Sequence, residues 1–207
     1  MGQETAKQYP AMGKKDNKAD KKTRRAAMSK LILYIAMSLD GYIADEDGNI
    51  SFLDETPGPS PDLGYEKFYN SLQAIILGGK TYRQVKNDLS PDKWPYEGMP
   101  CYVCTRQQHP YDPNVQFTSL PSGKQVLDFI SKKHPGNIWL MGGGEIIRYF
   151  MHGNLIDKYY IYVMPTILGN GIPLFPAGFP KANLKLESCK NIGEIVELIY
   201  RRNADNG

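Results

Sequence analysis

The sequence predicts an α/β domain whose mostly parallel sheet is covered by helices on both faces. Three observations support this fold class. A near-continuous apolar run at 30–37 is typical of a central strand buried on both faces. Short apolar runs then alternate with segments of helical spacing, the pattern of parallel strands joined by crossover helices. The end of the chain, 183–202, shows two alternating strands around a turn at 191–193, which predicts an antiparallel hairpin.

The remaining elements are predicted in chain order. Asp-Gly pairs near both ends of 38–50 mark tight turns after the first strand. Leu63, Phe68 and Leu72 recur at roughly helical spacing and predict a helix over 61–73. The other predicted elements are strands at 74–77, 100–105, 115–120 and 137–141, helices at 78–85, 122–134 and 145–153, and a long strand from 155 that ends at Pro165.

The first 27 residues differ in composition from the rest of the chain. They hold eight Lys/Arg and three Asp/Glu, which gives them a net charge of +5. Since the whole chain has a net charge of +3, the remainder has a net charge of −2 and is slightly acidic. They also lack the aliphatic periodicity needed for a core. A basic arm for nucleic acid or membrane is one interpretation, and a leader before a start at Met28 is the one that composition favours. We therefore predict one domain over 28–203.

Composition also limits the class of function. No later stretch approaches the roughly 20 apolar residues of a membrane span. Three sparse cysteines do not predict a disulfide framework, and Cys101 and Cys104 should point to opposite faces of their strand. The histidines lack ligand spacing, so we expect no metal. We expect a cytoplasmic protein that binds a small-molecule substrate, without nucleic acid or membrane as partner, and a homodimer remains open.

Two strand-to-helix junctions are rich in glycine, at 76–82 and at 140–146. Each alone is a weak signal, since glycine after a strand is often a packing device. Two in one small domain favour a phosphate-rich ligand, because backbone amides at such junctions attract anions. The spacing is not GxGxxG, so the ordinary dinucleotide fingerprint is absent.

A family resemblance extends this interpretation. The motifs that carry it are SLDGYIA (38–44), GGKTY (78–82), Cys104-Thr105-Arg106, IWLMGGGEII (138–147) and PTILGNGIPLF (165–175). In this order they resemble dihydrofolate-reductase-like proteins, and among them the reductase domain of the bifunctional riboflavin-biosynthesis deaminase-reductase. The resemblance spans about 29–202. It implies a three-layer α/β/α fold, an NADPH cofactor, and hydride transfer to a small heterocyclic or sugar-like substrate of the pteridine or aminouracil type.

By position, the resemblance also assigns cofactor-binding residues. Those for the pyrophosphate are Gly142, Gly143, Gly144, Glu145 and Ile146; those for phosphate at the other junction are Gly78, Lys80 and Thr81; those for the 2′-phosphate are Thr105 and Arg106. A guanidinium fork suits a phosphate dianion. The sequence departs from the family at Gly79, where an Arg is usual, and at Met141, where the riboflavin enzyme has an acid. It also lacks the zinc signature of the deaminase half.

The proton source and the substrate wall are less clearly marked. Asp40 and Glu66 are the nearest carboxylates to the family's catalytic acid, although Asp40 is equally explained as a turn residue and Glu66 as part of a solvated helix face. The aromatic residues Phe52, Phe68 and Tyr69 could wall a flat substrate, although core packing is the default for aromatics. A non-catalytic NADPH-binding protein of the same fold is the alternative function.

Overall fold

The computed structural model describes residues 29–55, 63–119 and 121–203, so the predicted N-terminal tail lies outside the described residues. Eight strands form one sheet in the order β5-β4-β3-β6-β1-β7-β10-β9. These strands are β1 Lys30–Met37, β3 Leu72–Gly78, β4 Cys101–Cys104, β5 Val115–Thr118, β6 Asn137–Gly142, β7 Lys158–Val163, β9 Leu184–Ile192 and β10 Ile195–Arg202. A separate pair joins β2 Tyr42–Ala44 to β8 Ile172–Pro173.

The helices flank the large sheet. They are α1 Tyr65–Asn70, α2 Gly79–Gln84, α3 Gly123–Lys133 and α4 Gly144–His152, with a 3-10 turn at Ser51–Leu53. Helix α2 runs on into a wider π turn at Val85–Leu89. Helix α3 begins where the sequence predicts it, because the Ser122 side chain accepts a hydrogen bond from the Gln125 amide and caps its first turn.

The predicted fold class is confirmed. The six strands from β5 to β7 are parallel, and β10 pairs antiparallel with both β7 and β9. One face of the sheet packs on α3 and α4 around Ile130, Ile147 and Phe150. The other face packs on α1 and α2 around Phe68 and Tyr82. This is a three-layer α/β/α arrangement with a C-terminal antiparallel hairpin.

The helix predicted over 61–73 is too long. Within the described residues it runs from Tyr65 to Asn70, because Gly64 adopts the left-handed conformation (φ 73°) at its start and the chain turns at Ser71, which donates to the Phe68 carbonyl. Leu72 therefore belongs to β3 rather than to the helix face. The strand predicted from 155 to Pro165 is likewise shorter, at Lys158–Val163.

Cys101 and Cys104 point to opposite faces of β4, as predicted: Cys101 packs on the α1–α2 side and Cys104 on the α3–α4 side. Both are free, and burial raises the pKa of each thiol to about 12, so neither is a nucleophile at neutral pH. No cluster of three or more His, Cys, Asp or Glu suited to a metal ion occurs in the described part of the chain. Among its helices, none combines the length and apolar character needed to cross a bilayer.

Candidate cofactor and substrate site

The two central strands part before they reach the carboxyl edge of the sheet. Strand β1 pairs with β6 from Lys30 to Leu33 and then continues along β7 as far as Met37. Strand β6 continues along β3 to Gly142. Helix α2 leaves β3 on one face of the sheet, whereas α4 leaves β6 on the other. This is a topological switch point, where open α/β sheets bind their ligands.

The glycine run at 142–144 forms one wall of this crevice. Gly142 has φ +130°, a conformation that L side chains rarely adopt, and its peptide bond to Gly143 is cis. Gly143 is extended (φ −76°), and α4 begins directly after it. The first N–H groups of a helix have no partner within the helix, so the start of α4 presents donors to the crevice.

Gly143 and Gly144 are not explained by packing within the protein. A Cβ atom at Gly143 would lie 3.5 Å from Thr81 Oγ1, and one at Gly144 would lie 3.5 Å from the Pro173 carbonyl oxygen, both ordinary contacts. The fold therefore demands glycine at position 142 but leaves room for a side chain at 143 and 144. The bare backbone at 143 and 144 therefore leaves space in the crevice for a ligand.

The second glycine junction lies beside the first. A Cβ atom at Gly78 would be 3.6 Å from Ile146, and one at Gly79 would be 3.2 Å from Thr105 Oγ1. Lys80 Nζ lies 3.6 Å from Glu145 Oε1, with both side chains exposed. The structure thus brings together residues that the sequence analysis assigned to one ligand from three separate segments.

A guanidinium that the sequence analysis missed lies at the third segment. Thr105 follows β4 and its hydroxyl accepts a hydrogen bond from the Gln107 amide, while Arg106 is exposed. Arg83 Nη1 donates to Gln107 Oε1 at 3.1 Å and would lie 3.7 Å from a Cβ atom at Gly79. Since Arg83 is one helical turn after Gly79, this i, i+4 spacing was the signal that could have found it.

The loop that carries Arg106 is fastened by a buried carboxylate. Asp112 is 4% exposed and accepts hydrogen bonds from the Tyr82 hydroxyl, from Lys86 Nζ and from the Asn114 amide. Burial alone would raise the pKa of Asp112, but the hydrogen bonds from Lys86, Tyr82 and Asn114 outweigh it and lower the pKa to about 2. This network ties the loop after β4 to α2.

Asp40 organises the loop above the crevice. Its Oδ1 accepts from Ser38 Oγ at 2.6 Å and its Oδ2 accepts from the Gly169 amide at 2.7 Å, with a further bond from Leu168. The hydrogen bond from Ser38, with those from Gly169 and Leu168, lowers the pKa of the exposed Asp40 carboxyl. An acid with a lowered pKa is ionised at neutral pH, so this geometry favours the turn interpretation over a proton donor.

The loop from Pro165 to Pro173 approaches the first turns closely. A Cβ atom at Gly171 would lie 2.3 Å from the Ala44 carbonyl oxygen, which explains the second glycine of LGNGIP.

Of the remaining predicted residues, Glu66 is exposed on α1. Phe52 and Phe68 are buried in the core at 2% and 8% exposure, and Tyr69 is half-buried. Core packing is thus the role that the structure gives Phe52 and Phe68.

A cluster of aromatic residues lies under α1, on the far side of the sheet from α4. Phe68 stacks on Tyr34 with ring centroids 4.3 Å apart, and Tyr162 lies 4.9 Å from Tyr34. The hydroxyls of Tyr34 and Tyr162 both approach the Leu63 carbonyl, at 3.2 and 2.8 Å. The indole N–H of Trp139 donates to the Tyr34 carbonyl, in place of the ladder bond that is lost where β1 and β6 part.

Comparison with known proteins matches this arrangement to one family. The protein-family model of the RibD C-terminal domain matches residues 29–198 of this chain. The chain belongs to the RibD C-terminal domain family. The family resemblance drawn from the motifs is therefore confirmed, over nearly the range expected.

Individual proteins are similar to this chain over nearly their whole length. YwjB of Bacillus subtilis strain 168 is 42% identical over 175 residues, which cover 84% of this chain and 98% of YwjB. A Shewanella sp. PV-4 protein whose name assigns it to riboflavin biosynthesis has a TM-score of 0.75 at 26% identity, covering 84% of this chain and 99% of its own. Dihydrofolate reductase from Enterococcus faecalis, solved with NADP(H), has a TM-score of 0.56 at 16% identity, covering 84% and 96%. The reductase shows the shared fold.

Proposed function

We propose that this protein is an NADPH-dependent reductase that transfers a hydride to a small heterocyclic or sugar-like substrate of the pteridine or aminouracil type. The observation that carries the proposal is Gly143, where the fold has room for a side chain and the sequence has none. Membership of a reductase-like family supports the same activity. The proposal includes a cytoplasmic location and a small-molecule substrate, without nucleic acid or membrane as partner, and leaves a homodimer open.

The residues of the crevice fit a dinucleotide with a 2′-phosphate. The amides at the start of α4 and the bare backbone at Gly143 and Gly144 would hold the pyrophosphate. Thr81 and Lys80 would bind phosphate from the facing junction. Arg106 and Arg83 would hold the 2′-phosphate, with Arg83 in place of the Arg that the family has at position 79. When bound, the cofactor supplies the hydride.

A non-catalytic NADPH-binding protein is the second candidate, and two observations favour it. Position 79 lacks the family's cation. Asp40, one of the two predicted acids, is occupied by Ser38 and by the amides of the facing loop. Both observations concern turnover or affinity rather than the shape of the crevice, so the two candidates share one cofactor site.

Fluorescence titration with NADPH and NADH tests the shared part of the proposal. We expect saturable binding of NADPH and weaker binding of NADH, because a 2′-phosphate would meet two guanidinium groups. Absence of binding for both cofactors would contradict both candidates. Oxidation of NADPH in the presence of pteridine, aminouracil or carbonyl compounds then separates them: binding without oxidation of any of these compounds supports the non-catalytic protein.

A further inference from the structure

Four aromatic side chains form a closed ring beside α1. Tyr65 and Tyr69 belong to α1 itself, Tyr96 to the segment before β4, and Trp139 to β6. The distances between neighbouring ring centroids are 5.7 Å for Tyr65 and Tyr69, 6.3 Å for Tyr69 and Tyr96, 5.8 Å for Tyr96 and Trp139, and 6.0 Å for Trp139 and Tyr65. The indole of Trp139 is steeply inclined to both tyrosine rings that it meets, at 89° and 72°, so the four rings do not form a stack. We call these four residues the aromatic box.

The aromatic box adjoins the crevice and reaches the surface. Trp139 is buried at 6% exposure, and its N–H donates to the Tyr34 carbonyl beside the point where β1 and β6 part. Tyr69 and Tyr96 are half-buried, and Tyr65 is 41% exposed. A ligand therefore has access to the box from solvent on the α1 side, whereas the glycine wall lies on the α4 side.

The box offers ring faces but no charge. Burial raises the pKa of Tyr65 to about 12, and burial also raises the pKa of Tyr69 and of Tyr96, so these phenols are neutral at neutral pH. Lys93, in the same segment as Tyr96, is paired with Glu97 at 2.8 Å. The box therefore provides no cation for a phosphate group, and the partial negative charge of its ring faces attracts cations.

The part of the chain that leads to the box is acidic. Residues 31–66, which run from β1 through the loop above the crevice into α1, contain eight Asp/Glu and no Lys, Arg or His. Seven of these eight lie among the described residues, and none of the seven forms a salt bridge with a basic side chain in the described part of the chain. Lys67, the first base after the segment, is exposed on α1. The cations Lys80, Arg83 and Arg106 lie instead around the glycine junctions, so the α1 side should attract cations and repel phosphate.

We propose that the aromatic box binds an organic cation, an alkylammonium or quaternary ammonium group, and that the substrate carries this group and no phosphate. A cation is attracted by each aromatic ring whose centroid lies within about 6 Å of it. Because the rings of the box are neighbours in a closed cycle, several of them can contact one such group. The inference rests on the proposed function for the reaction that the substrate undergoes, but binding of the cation requires no cofactor.

Calorimetric titration of the full-length protein without cofactor tests the proposal. The probe is choline, and 3,3-dimethylbutan-1-ol is the matched neutral compound, with carbon in place of the charged nitrogen. We expect choline to bind at least tenfold more tightly than the alcohol. Phosphocholine, which adds a phosphate to the same cation, should bind more weakly than choline.

Variants of the box test whether the ring faces are responsible. Tyr65→Leu and Tyr96→Leu should each lose at least fivefold in choline affinity, whereas Tyr96→Phe keeps the ring and should stay within twofold of the wild type. Tyr111→Leu, at an 89% exposed position in the loop after β4, is the control and should bind choline normally. Glu66→Lys, which reverses one charge of the acidic segment, should weaken choline binding and leave binding of the alcohol unchanged. Melting temperatures check folding, and if Tyr96→Leu does not fold, the partly exposed Tyr65 decides the test.

The possible outcomes distinguish this inference from the proposed function. Equal affinity for choline and the alcohol, tighter binding of phosphocholine than of choline, or unchanged choline affinity in the folded leucine variants overturns the inference. NADPH affinity should change less than twofold in the variants of the box, and a parallel loss of NADPH affinity would attribute the effect to the fold and overturn it as well. Choline binding that depends on the box in a protein that binds no NADPH upholds the inference and contradicts the proposed function, while NADPH binding without preference for choline does the reverse.

Discussion

The two sides of the crevice differ in what they are built from. On the α4 side the wall is backbone: three glycines, the first turn of a helix, and exposed cations around it. On the α1 side the wall is made of large buried side chains, among them Phe68 and Tyr162, whose hydroxyl donates a hydrogen bond to one carboxylate oxygen of Glu197. The α4 side lacks side chains, which leaves room beside its backbone, whereas the α1 side is filled by side chains.

This difference determines what a sequence can reveal. Recognition by backbone needs consecutive residues, because a strand, a bare turn and a helix must follow each other directly. Recognition by side chains needs residues that meet in space from distant segments. Leu63, Tyr162 and Glu197 meet under α1 although almost a hundred residues separate the first two. The first kind produces a local motif, and the second does not.

The largest effect should come from filling the backbone wall. Gly143→Ala should weaken NADPH and NADH alike by about 3 kcal/mol, the upper end of the cost of overpacking, because a Cβ atom here lies between the two glycine junctions. The extended backbone at Gly143 accepts alanine, so the melting temperature should stay close to that of the wild type. Fluorescence titration and thermal unfolding measure the two effects.

Gly144→Ala is the matched control for this prediction. Its Cβ atom would face the Pro173 carbonyl rather than Thr81 across the crevice, so its effect on both cofactors should be smaller. A Gly143→Ala protein that binds both cofactors normally, or that does not fold, would mean that the glycines are packing devices. The contrast between the two sides would then disappear.

The next effect should be specific to NADPH. Arg106→Ala should weaken NADPH by about 1.5–3 kcal/mol, the range for hydrogen bonds to charged groups, and leave NADH nearly unchanged. Arg83→Ala should also weaken NADPH binding, but by a smaller amount, because the Arg83 guanidinium already donates a hydrogen bond to Gln107. Titration with both cofactors checks this. An equal loss for NADPH and NADH would place these residues at the shared phosphates or in the fold.

The fold was largely predictable from local patterns. The buried run at 30–37 became the central strand, and the alternating C-terminal segments became the hairpin of β9 and β10. The helix around Phe68 was predicted too long, because Leu72 fits a helical spacing and a strand equally well until Gly64 and Ser71 are seen to limit the helix. Apolar periodicity predicts which residues are buried better than where an element ends.

The candidate site was predictable only in part. The glycine junctions were found because they are contiguous, and the structure brings them together. The position of Arg83 beside Gly79 and the burial of Glu197 were missed because neither residue belongs to a motif. Glu197 lies on the same face of β10 as Ile195 and Ile199, but one acidic residue in a short strand does not by itself predict burial. Its burial and its hydrogen bond from Tyr162 become visible when the aromatic cluster is assembled.

A smaller effect, on the free energy of unfolding, is expected from Asp112, which ties the loop carrying Arg106 to α2. The folded-state pKa of Asp112, about 2, is below the value near 3.9 of an unfolded chain, so its ionised form stabilises the fold above about pH 4. This contribution is lost as the pH falls towards 2. Asp112→Asn should therefore lower the free energy of unfolding by about 1–2 kcal/mol at pH 7, discounted because Lys86 is half exposed.

Urea unfolding of Asp112→Asn and the wild type at pH 7, 5, 4 and 3 measures this. The difference between the two proteins should be constant from pH 7 to 5 and narrow below pH 4. The NADPH affinity of Asp112→Asn should also fall slightly, since the hydrogen bonds of Asp112 position the loop after β4. A stability difference that does not vary with pH would attribute the loss to altered packing rather than to the charge.

The smallest effects should come from the exposed pair at the mouth of the crevice, where the two junctions meet. Lys80 and Glu145 are 3.6 Å apart with side chains 82% and 89% exposed, so water and salt screen both charges. Lys80→Met should weaken NADPH and NADH alike by about 0.5 kcal/mol, and Glu145→Gln should strengthen both by a similar amount, because a carboxylate beside the pyrophosphate repels it. Both shifts should shrink at high salt.

Titrations at low and high ionic strength measure these changes. If Lys80→Met instead costs as much as Arg106→Ala and the loss persists at high salt, Lys80 contacts the phosphate directly, and the α4 side binds through a side chain as well as through its backbone.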